Sequence, residues 1–355
     1  MSEPGSKIKF IQMHPENETS QYLVGGHVPV PINLFFLITS ECNLSCKHCH
    51  MWLNKDSPHS LTLAEKMEVV EAFAKLNPHG NIVLSGGEVM LKNEEFFALT
   101  KLAKSIGLNV IAVSNASLID PSLYKRFVVE GPDILYISLD SHVDTVHDYI
   151  RGTSGAWSKV IRVIKGLVEK KKESISSDFK IFTSTVLFEE NIYTLKTMLA
   201  FIKSLGVDGA SVQVLSRTVM NKSPSGADPF FNKSFFKDRL LASGILDEVI
   251  SEFSDDGFLV NLGEYEWMKE YILKGPDYET SDQVCGSAEK NIFVDHDGRY
   301  SLCANMDAVE GVGDLGTVRD ISIERFWFSI QAERARGLMS QCRKHCGMYA
   351  CHRKD

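Results

Sequence analysis

Between residues 33 and 215, short apolar runs alternate with amphipathic helical patterns, which gives six strand–helix repeats. The first run, residues 33–39 (NLFFLIT), is apolar through its interior, as expected for a strand buried on both faces. Alternation of this kind is typical of a parallel sheet with right-handed crossover helices. Six repeats rather than eight therefore predict an α/β fold, namely a partial (β/α)6 barrel of the TIM type.

The same patterns predict where each element begins and ends. A capping box formed by Thr62 and Glu65 marks the start of the first helix. The predicted strands are 33–39, 81–84, 108–113, 134–139, 179–187 and 210–215, and the predicted helices are 62–76, 94–106, 121–129, 157–171 and 192–205. In barrels of this type the loops at the carboxyl ends of the strands carry the chemistry. Residues in those loops are therefore the candidates for a functional site.

The alternation of strand and helix patterns ends after residue 216, and this change predicts a second unit. A loop rich in Ser, Pro, Gly and Asn is expected over 217–232, with helical segments following to about 274. Near the end, Asp297-Gly298 predicts a hairpin turn, and 323–338 predicts a closing helix. The predicted regions are a lead-in at 1–32, the barrel core at 33–216, a helical linker region at 217–284 and a small C-terminal domain at 285–355.

Composition argues against two classes of partner. The net charge is −8, whereas a nucleic-acid binder normally carries a basic excess or a basic stripe. The run Lys170-Lys171-Lys172 ends a predicted helix and is typical of a solvated helix end. No run of about 18 uncharged apolar residues is present, and the N-terminus lacks a signal-peptide pattern. We therefore expect a cytoplasmic protein that binds neither nucleic acid nor membrane.

The eight cysteines fall into two groups, which favours metal binding over disulfides in a cytosolic chain. The first group, Cys42, Cys46 and Cys49, has intervals of four and three residues and directly follows the first strand. Thiolates at this spacing select an iron–sulfur cluster or zinc. Three ligands leave one iron of a four-iron cluster open for catalysis, whereas His48 or His50 would have to complete a structural zinc site.

This CxxxCxxC motif resembles the signature of the radical S-adenosylmethionine (SAM) superfamily. The residue before the third cysteine is usually aromatic in that family, and here it is His48, which can pack against the adenine. The resemblance implies that Cys42, Cys46 and Cys49 hold a catalytic [4Fe–4S] cluster. It also implies reductive cleavage of SAM, with one electron from a flavodoxin- or ferredoxin-type donor, to a 5′-deoxyadenosyl radical that abstracts hydrogen from the substrate.

Further motifs resemble the same family in the order expected for it. Ser85-Gly86-Gly87-Glu88 is similar to the GGE motif that binds the amino group of the cofactor's methionine, although Val89 stands where proline is usual. Glycines at such a site let the backbone approach the ligand closely. The other implied cofactor contacts are Ser114 and Asn115 (ribose or carboxylate), Ser138 and Asp140 in an SLD motif, Arg151 in an HDxxRG motif (methionine carboxylate) and Gln213 (adenine side).

The second cysteine group resembles the SPASM and Twitch extensions of that superfamily. Twelve residues separate Cys285 from Gly298, and four more separate Gly298 from Cys303. Five cysteines cannot ligate two clusters fully, so we expect one auxiliary [4Fe–4S] cluster. Its expected ligands are Cys285, Cys303 and two of Cys342, Cys346 and Cys351. A zinc ribbon would use the same thiolates and remains the alternative at this end.

The resemblance leaves the substrate open. A ribosomally made peptide, modified by crosslinking, oxidation or epimerisation, ranks first. Against it, only some 32 residues precede the first strand, too few for a peptide-recognition domain. A small sugar, aminocyclitol or amino acid that is dehydrogenated or epimerised is the alternative, and activation of a partner enzyme is a third class. A non-catalytic zinc or iron–sulfur protein is the alternative of another kind.

Overall fold

The computed structural model describes residues 28–174, 178–216, 229–254, 257–276, 278, 286–306, 309 and 311–343. In this part of the chain the strands are β1 (Asn33–Leu37), β2 (Asn81–Ser85), β3 (Asn109–Ser114), β4 (Ile134–Ser138), β5 (Lys180–Leu187), β6 (Gly209–Val214), β7 (Asn291–Val294) and β8 (Tyr300–Ser301). The helices are α1 (Leu63–Leu76), α2 (Asn93–Ser105), α3 (Tyr124–Glu130), α4 (Asp144–Arg151), α5 (Ala156–Lys172), α6 (Leu195–Ser204), α7 (Pro229–Ser234), α8 (Arg239–Phe253), α9 (Tyr265–Lys274), α10 (Ser287–Lys290), α11 (Ile323–Trp327) and α12 (Ile330–Met339).

The strands form one sheet in the order β6-β5-β4-β3-β2-β1-β7-β8. Strands β1 to β6 are parallel, and helices connect them, so the predicted partial (β/α)6 barrel is confirmed. The predicted hairpin is also confirmed, because β7 and β8 pair antiparallel. Its position was not predicted: β7 pairs in parallel with β1, so the hairpin continues the barrel sheet beyond its first strand.

Three predicted elements differ from the structure. Helix α4 was missed because its buried face carries His147 and Arg151 beside Ile150, so apolar periodicity does not reveal it. Helix α7 begins inside the segment that was predicted to be a loop up to residue 232. The closing helix over 323–338 is two helices, because the side chain of Ser322 caps α11 and that of Ser329 caps α12.

Burial alternates along the first strand of the barrel. In β1, Leu34 and Phe36 are fully buried against the surrounding helices, while the residues between them face the other side of the sheet. On that inner side, the rings of Phe35 and Phe293 stack with centroids 4.6 Å apart, which joins β7 to β1 by packing as well as by hydrogen bonds. The capping box at Thr62 is present as predicted and fixes the start of α1.

An asparagine stands at the first position of β1, β2, β3 and β7, and the four side chains form a ladder across the sheet. Asn33 donates to Asn291 (2.8 Å), Asn81 donates to Asn33 (2.9 Å), and Asn109 donates to Asn81 (3.2 Å). Each amide is both donor and acceptor, so the chain of bonds can cross strands in register. The ladder closes the amino-terminal end of the sheet and leaves the opposite end for the site.

Among the described helices, none combines the length and the apolar character that a bilayer crossing requires.

Candidate functional site

The loop that carries the first three cysteines follows β1 directly and is anchored at its start. The carboxylate of Asp56 accepts hydrogen bonds from the hydroxyl of Thr39 (2.9 Å) and from the backbone N–H of Ser40 (2.8 Å). Lys92 lies 3.2 Å from the same carboxylate. Asp56 was not predicted as a site residue, because nothing in its spacing links it to the cysteines.

The three cysteines lie close enough to influence one another. Cys46 is buried, and Cys42 and Cys49 are half-buried. Burial raises the pKa of the Cys42 and Cys49 thiols to about 11, and the charge of neighbouring cysteines adds to the effect. Thiols in such surroundings ionise readily only when a cationic group binds them.

Two donors face the sulfur atoms. The Nη1 atom of Arg151 lies 3.8 Å from Sγ of Cys46, and the Nδ2 atom of Asn115 lies 4.0 Å from Sγ of Cys42. Donors to sulfur would stabilise thiolate ligands of a cluster. Among the described residues, no three His, Cys, Asp or Glu side chains converge on a point where a single metal ion would bind. The fit to an iron–sulfur cluster therefore rests on the thiol chemistry and these donors.

Gly86 and Gly87 pack against the cysteine loop. A Cβ atom at Gly86 would lie 2.3 Å from the carbonyl oxygen of Thr39, and one at Gly87 would lie 2.0 Å from that of Glu41. The N–H of Gly87 donates to Thr39 (2.9 Å), and the next N–H, of Glu88, donates to Glu41 (2.8 Å). The predicted close approach of these glycines to a ligand stays a prediction; in this structure their backbone closely approaches the loop that precedes Cys42.

Glu88 ties the carboxyl end of β2 to that of β3. Its carboxylate, 1% exposed, accepts hydrogen bonds from the Ser114 hydroxyl (2.7 Å), the Asn115 N–H (2.7 Å) and the Met90 N–H (3.0 Å). Burial raises the pKa of Glu88, and these donors oppose the rise. The side chain of Asn115 in turn donates to Asn43 in the cysteine loop (3.0 Å). The predicted residues Glu88, Ser114 and Asn115 thus form one connected network.

Arg151 and Asp140 form a buried ion pair beside this network, with Nε and Oδ2 2.7 Å apart. The other oxygen of Asp140 accepts from the N–H of Val186 (3.1 Å), and its carbonyl accepts from the side chain of Asn191 (2.8 Å). Burial works against the Arg151 cation, but the charges of Asp140 and Cys46 raise its pKa. A permanent positive charge therefore lies against the sulfur of Cys46.

Two histidines near this pair are neutral. Burial, assisted by the Arg151 charge, lowers the pKa of His48 to about 3 and that of His147 to about 4. The His48 ring packs on Phe188 at a centroid distance of 5.2 Å, and its Nδ1 atom has no hydrogen-bond partner within the described ranges. His147 accepts the Asp140 N–H at Nδ1 (3.2 Å). A buried polar atom left unpaired at His48 suits a side chain that contacts a bound ligand.

The remaining predicted residues lie at or near the ends of β4 and β6 or belong to the second cysteine group. Ser138 ends β4 and pairs with Ser184, and Gln213 is exposed near the end of β6. Asn191, which sequence reasoning missed, supports Asp140 from the loop after β5. In the second cysteine group, Cys303 and Cys342 are half-buried. Predicted ligands outside the described residues are Cys285, Cys346 and Cys351.

Comparisons with known proteins place this geometry in context. The model of the Radical SAM superfamily matches residues 36–202. The AdoMet-dependent heme synthase of Nitratidesulfovibrio vulgaris is 22% identical over 334 residues, which cover 89% of this chain and 84% of that protein. The subtilosin biosynthesis protein AlbA of Bacillus subtilis is 28% identical over 192 residues, or 52% of this chain and 39% of AlbA.

One solved structure, anSMEcpe with bound AdoMet and the Cp18Cys peptide, has a TM-score of 0.64 at 18% identity. The match covers 88% of this chain and 84% of that chain. At this identity the likeness concerns the fold alone, and it agrees with the partial barrel described above.

Proposed function

We propose that this chain, which carries a radical SAM domain over residues 36–202, is an enzyme that cleaves SAM reductively and abstracts hydrogen from a ribosomally made peptide. The observation that carries the proposal is the buried Arg151 beside Cys46, joined at the same end of the sheet by the Glu88 network. A radical SAM domain implies a [4Fe–4S] cluster and SAM. When bound, these two groups supply the one-electron cleavage that yields the 5′-deoxyadenosyl radical.

The chain's own residues divide this work between them. Cys42, Cys46 and Cys49 would bind the catalytic cluster through their thiolates. Arg151 holds positive charge against Cys46, which favours the thiolate and leaves a cation near the place where a ligand carboxylate would bind. Glu88 holds the Asn115 backbone, and with it the amide that faces Cys42.

Two further predicted residues would contact the cofactor when it is bound. His48, neutral and packed on Phe188, offers a flat ring for an adenine to contact. Gln213, exposed on β6, offers an amide on the opposite side of the sheet opening. Apolar surroundings exclude water, which protects a reactive radical from side reactions.

A peptide substrate is supported by two relatives from Bacillus subtilis. AlbA is named for the biosynthesis of a bacteriocin, and SkfB is named as a maturation protein of the sporulation killing factor. The proposed reaction is crosslinking, oxidation or epimerisation of such a peptide. A tetrapyrrole is the second candidate substrate, because the relative that matches 89% of this chain is a heme synthase.

We further propose an auxiliary [4Fe–4S] cluster in the C-terminal region. Its ligands would be Cys285, Cys303 and two of Cys342, Cys346 and Cys351. Such a cluster would accept the electron that a substrate radical loses when the product is oxidised, or would bind the substrate directly.

The first experiment measures iron, sulfide and zinc after anaerobic reconstitution, together with 5′-deoxyadenosine release under dithionite. We expect about eight irons per chain in the wild type, as two four-iron clusters require. The C42A/C46A/C49A variant should lose half of the iron and all of the release. A matched C303A/C342A variant should also lose about half of the iron yet keep the release. Zinc in place of iron, or no release, would contradict the proposal.

The second experiment separates the substrates. A library of deuterated peptides and a deuterated iron tetrapyrrole are incubated separately with the reconstituted protein, and deuterium in 5′-deoxyadenosine is measured by mass spectrometry. Transfer from a peptide supports peptide modification. Transfer from the tetrapyrrole alone assigns the protein to the second candidate.

A further inference from the structure

A pocket of about 310 Å³ lies between the loop that follows β3 and helices α3 and α5. Ser117 and Ile119 line it from the loop, Tyr124 lines it from the start of α3, and Lys159 and Arg162 line it from α5. Its volume is at the lower end of the range for small-ligand sites in proteins. We call the space between these five residues the rim pocket.

Two exposed cations line one side of the rim pocket. Lys159 and Arg162 are three residues apart on α5, so they lie on the same face of the helix. No carboxylate of the described residues lies within 4.0 Å of the charged nitrogen atoms of either side chain. Both cations therefore keep their donors for a ligand.

The opposite side of the rim pocket carries a carboxylate that is already engaged. Asp120 lines the pocket too, and its side chain accepts the backbone N–H of Ser122 (2.9 Å) at the start of the turn before α3. Among the described residues that line the pocket, Asp120 carries the single negative charge, against the two cations of α5. The rim pocket is thus net positive on a chain whose net charge is −8.

The hydroxyl of Tyr124 is a third donor at the wall of the rim pocket. The side chain is 9% exposed, and its hydroxyl has no hydrogen-bond partner in the part of the chain that the structure describes. Burial raises the pKa of Tyr124, the Arg162 charge lowers it and the Asp120 charge raises it, so the hydroxyl lies within electrostatic range of both pocket residues. A buried hydroxyl without a partner costs free energy, which an acceptor atom of a ligand would recover.

Ser117 connects the rim pocket to the cysteine loop. Its hydroxyl accepts a hydrogen bond from the Asn43 side chain (2.8 Å) and donates to the Asn115 side chain (2.7 Å). Asn43 follows Cys42 in the chain, and the Asn115 amide faces the Cys42 sulfur. A ligand that extends from the cysteine loop across Ser117 therefore reaches the rim pocket.

These donors define the chemistry of the ligand. A guanidinium and an ammonium on one helix face suit an oxyanion, and a hydroxyl adds a neutral donor. Ile119, Pro121 and Val163 add an apolar wall beside these donors. A free inorganic anion would gain nothing from that wall, whereas an acidic side chain with an apolar neighbour in the same peptide would use both parts of the pocket.

We propose that the rim pocket binds an acidic side chain of the peptide substrate, at a position of the peptide other than the one that reacts. The inference rests on the proposed function. The carboxylate would lie between Lys159 and Arg162 with the Tyr124 hydroxyl as a further donor, and no bond is formed or broken there. The pocket would thus fix which residue of the peptide lies at the cysteine loop.

The test measures binding to the reconstituted full chain by calorimetry at low and high salt, without a reductant, so that no turnover occurs. The probes are an end-blocked octapeptide of alternating leucine and glutamate, the same peptide with glutamine in place of glutamate, and inorganic phosphate. The K159E/R162E variant is compared with the matched control K75E/K101E, which reverses two exposed lysines on α1 and α2 and changes the net charge equally. Y124F removes the hydroxyl alone.

We expect the wild type to bind the glutamate peptide about tenfold more tightly than the glutamine peptide at low salt, and K159E/R162E to lose that preference. High salt should narrow the difference, and the control should bind like the wild type. Y124F should bind the glutamate peptide about fivefold more weakly, while its midpoint of urea unfolding equals or exceeds that of the wild type, because an unpaired buried hydroxyl is gone. Phosphate should bind more weakly than the glutamate peptide.

Equal affinity of the wild type for the two peptides would overturn the proposal, and so would equal losses in K159E/R162E and the control. A Y124F variant that loses stability but no affinity would also overturn it, since the hydroxyl would then be structural. Phosphate binding without peptide binding would assign the pocket to a small free anion. Failure of the proposed function is distinguishable, because it would appear as absent 5′-deoxyadenosine release by the wild type and would leave these affinities unchanged.

Discussion

The Asp140–Arg151 ion pair makes the clearest stability prediction. Both side chains are buried, with 0% and 8% of their surfaces exposed, and their charged atoms are 2.7 Å apart. In R151M, the Asp140 carboxylate keeps the Val186 N–H as a donor but loses its counter-charge. Removal of one partner from a buried pair typically costs about 3–5 kcal/mol of the free energy of unfolding. We expect R151M to lose stability in that range.

The assay is urea unfolding of the metal-free protein, which separates stability from cluster chemistry. The double variant D140N/R151M removes both charges, so it should be more stable than R151M alone, and a double-mutant cycle gives the coupling. A matched control, E94Q, breaks only the exposed pair between Arg126 and Glu94, where loss should fall within measurement error. A loss for R151M no larger than that of E94Q would refute the argument that this pair holds β4 and α4 together.

Three further outcomes follow from the contacts. G87A should lose most of the iron after reconstitution, because its Cβ would lie 2.0 Å from a carbonyl of the cysteine loop. The control G244A, whose Cβ would have nothing within 4 Å, should bind as much iron as the wild type, and iron analysis measures both variants. E88Q should weaken SAM binding about tenfold by calorimetry, since an amide cannot accept from all the donors that the carboxylate does, and unchanged affinity would contradict the role of the network. N291A should cost about 1–3 kcal/mol in thermal or urea unfolding because it leaves a ladder amide unpaired, and the exposed N109A should cost less; equal costs would refute the ladder's contribution.

Much of the fold could be predicted because local patterns and tertiary structure agree. The Thr62 capping box, the continuous apolar run of β1 and the Asp297-Gly298 turn each specify their element within a few residues. Helix α4 could not be found in this way, because its buried positions His147 and Arg151 are polar. His147 accepts a hydrogen bond from the backbone of Asp140, and Arg151 faces the sulfur of Cys46. A method that finds helices from the spacing of apolar residues misses a helix whose buried residues are polar.

The contacts within the site were less predictable than its residues. Motif order indicated Gly86, Gly87 and Glu88, but the partners of these residues depend on how β1, β2 and β3 lie side by side. The structure shows the glycines against the cysteine loop and Glu88 against Ser114 and Asn115. Asp56 and Asn191 carry no sequence signal, because each acts through loops that only the assembled sheet brings together.

The register of the sheet also bears on the two proposed clusters. Strand β7 runs parallel to β1, with Asn291 opposite Asn33, and β8 runs back antiparallel to β7. The chain beyond Ser301 therefore heads from the site end towards the asparagine ladder, and the Ser287 hydroxyl bonds the Leu302 carbonyl there (2.7 Å). Cys303 follows at once. Since β1 alone spans about 13 Å over its four residue steps, a cluster at Cys303 would be separated from the Cys42 loop by the length of the barrel. An auxiliary cluster so placed would be too far from the Cys42 loop to bind the reacting part of the substrate directly, so electron acceptance is the proposed role that this geometry favours.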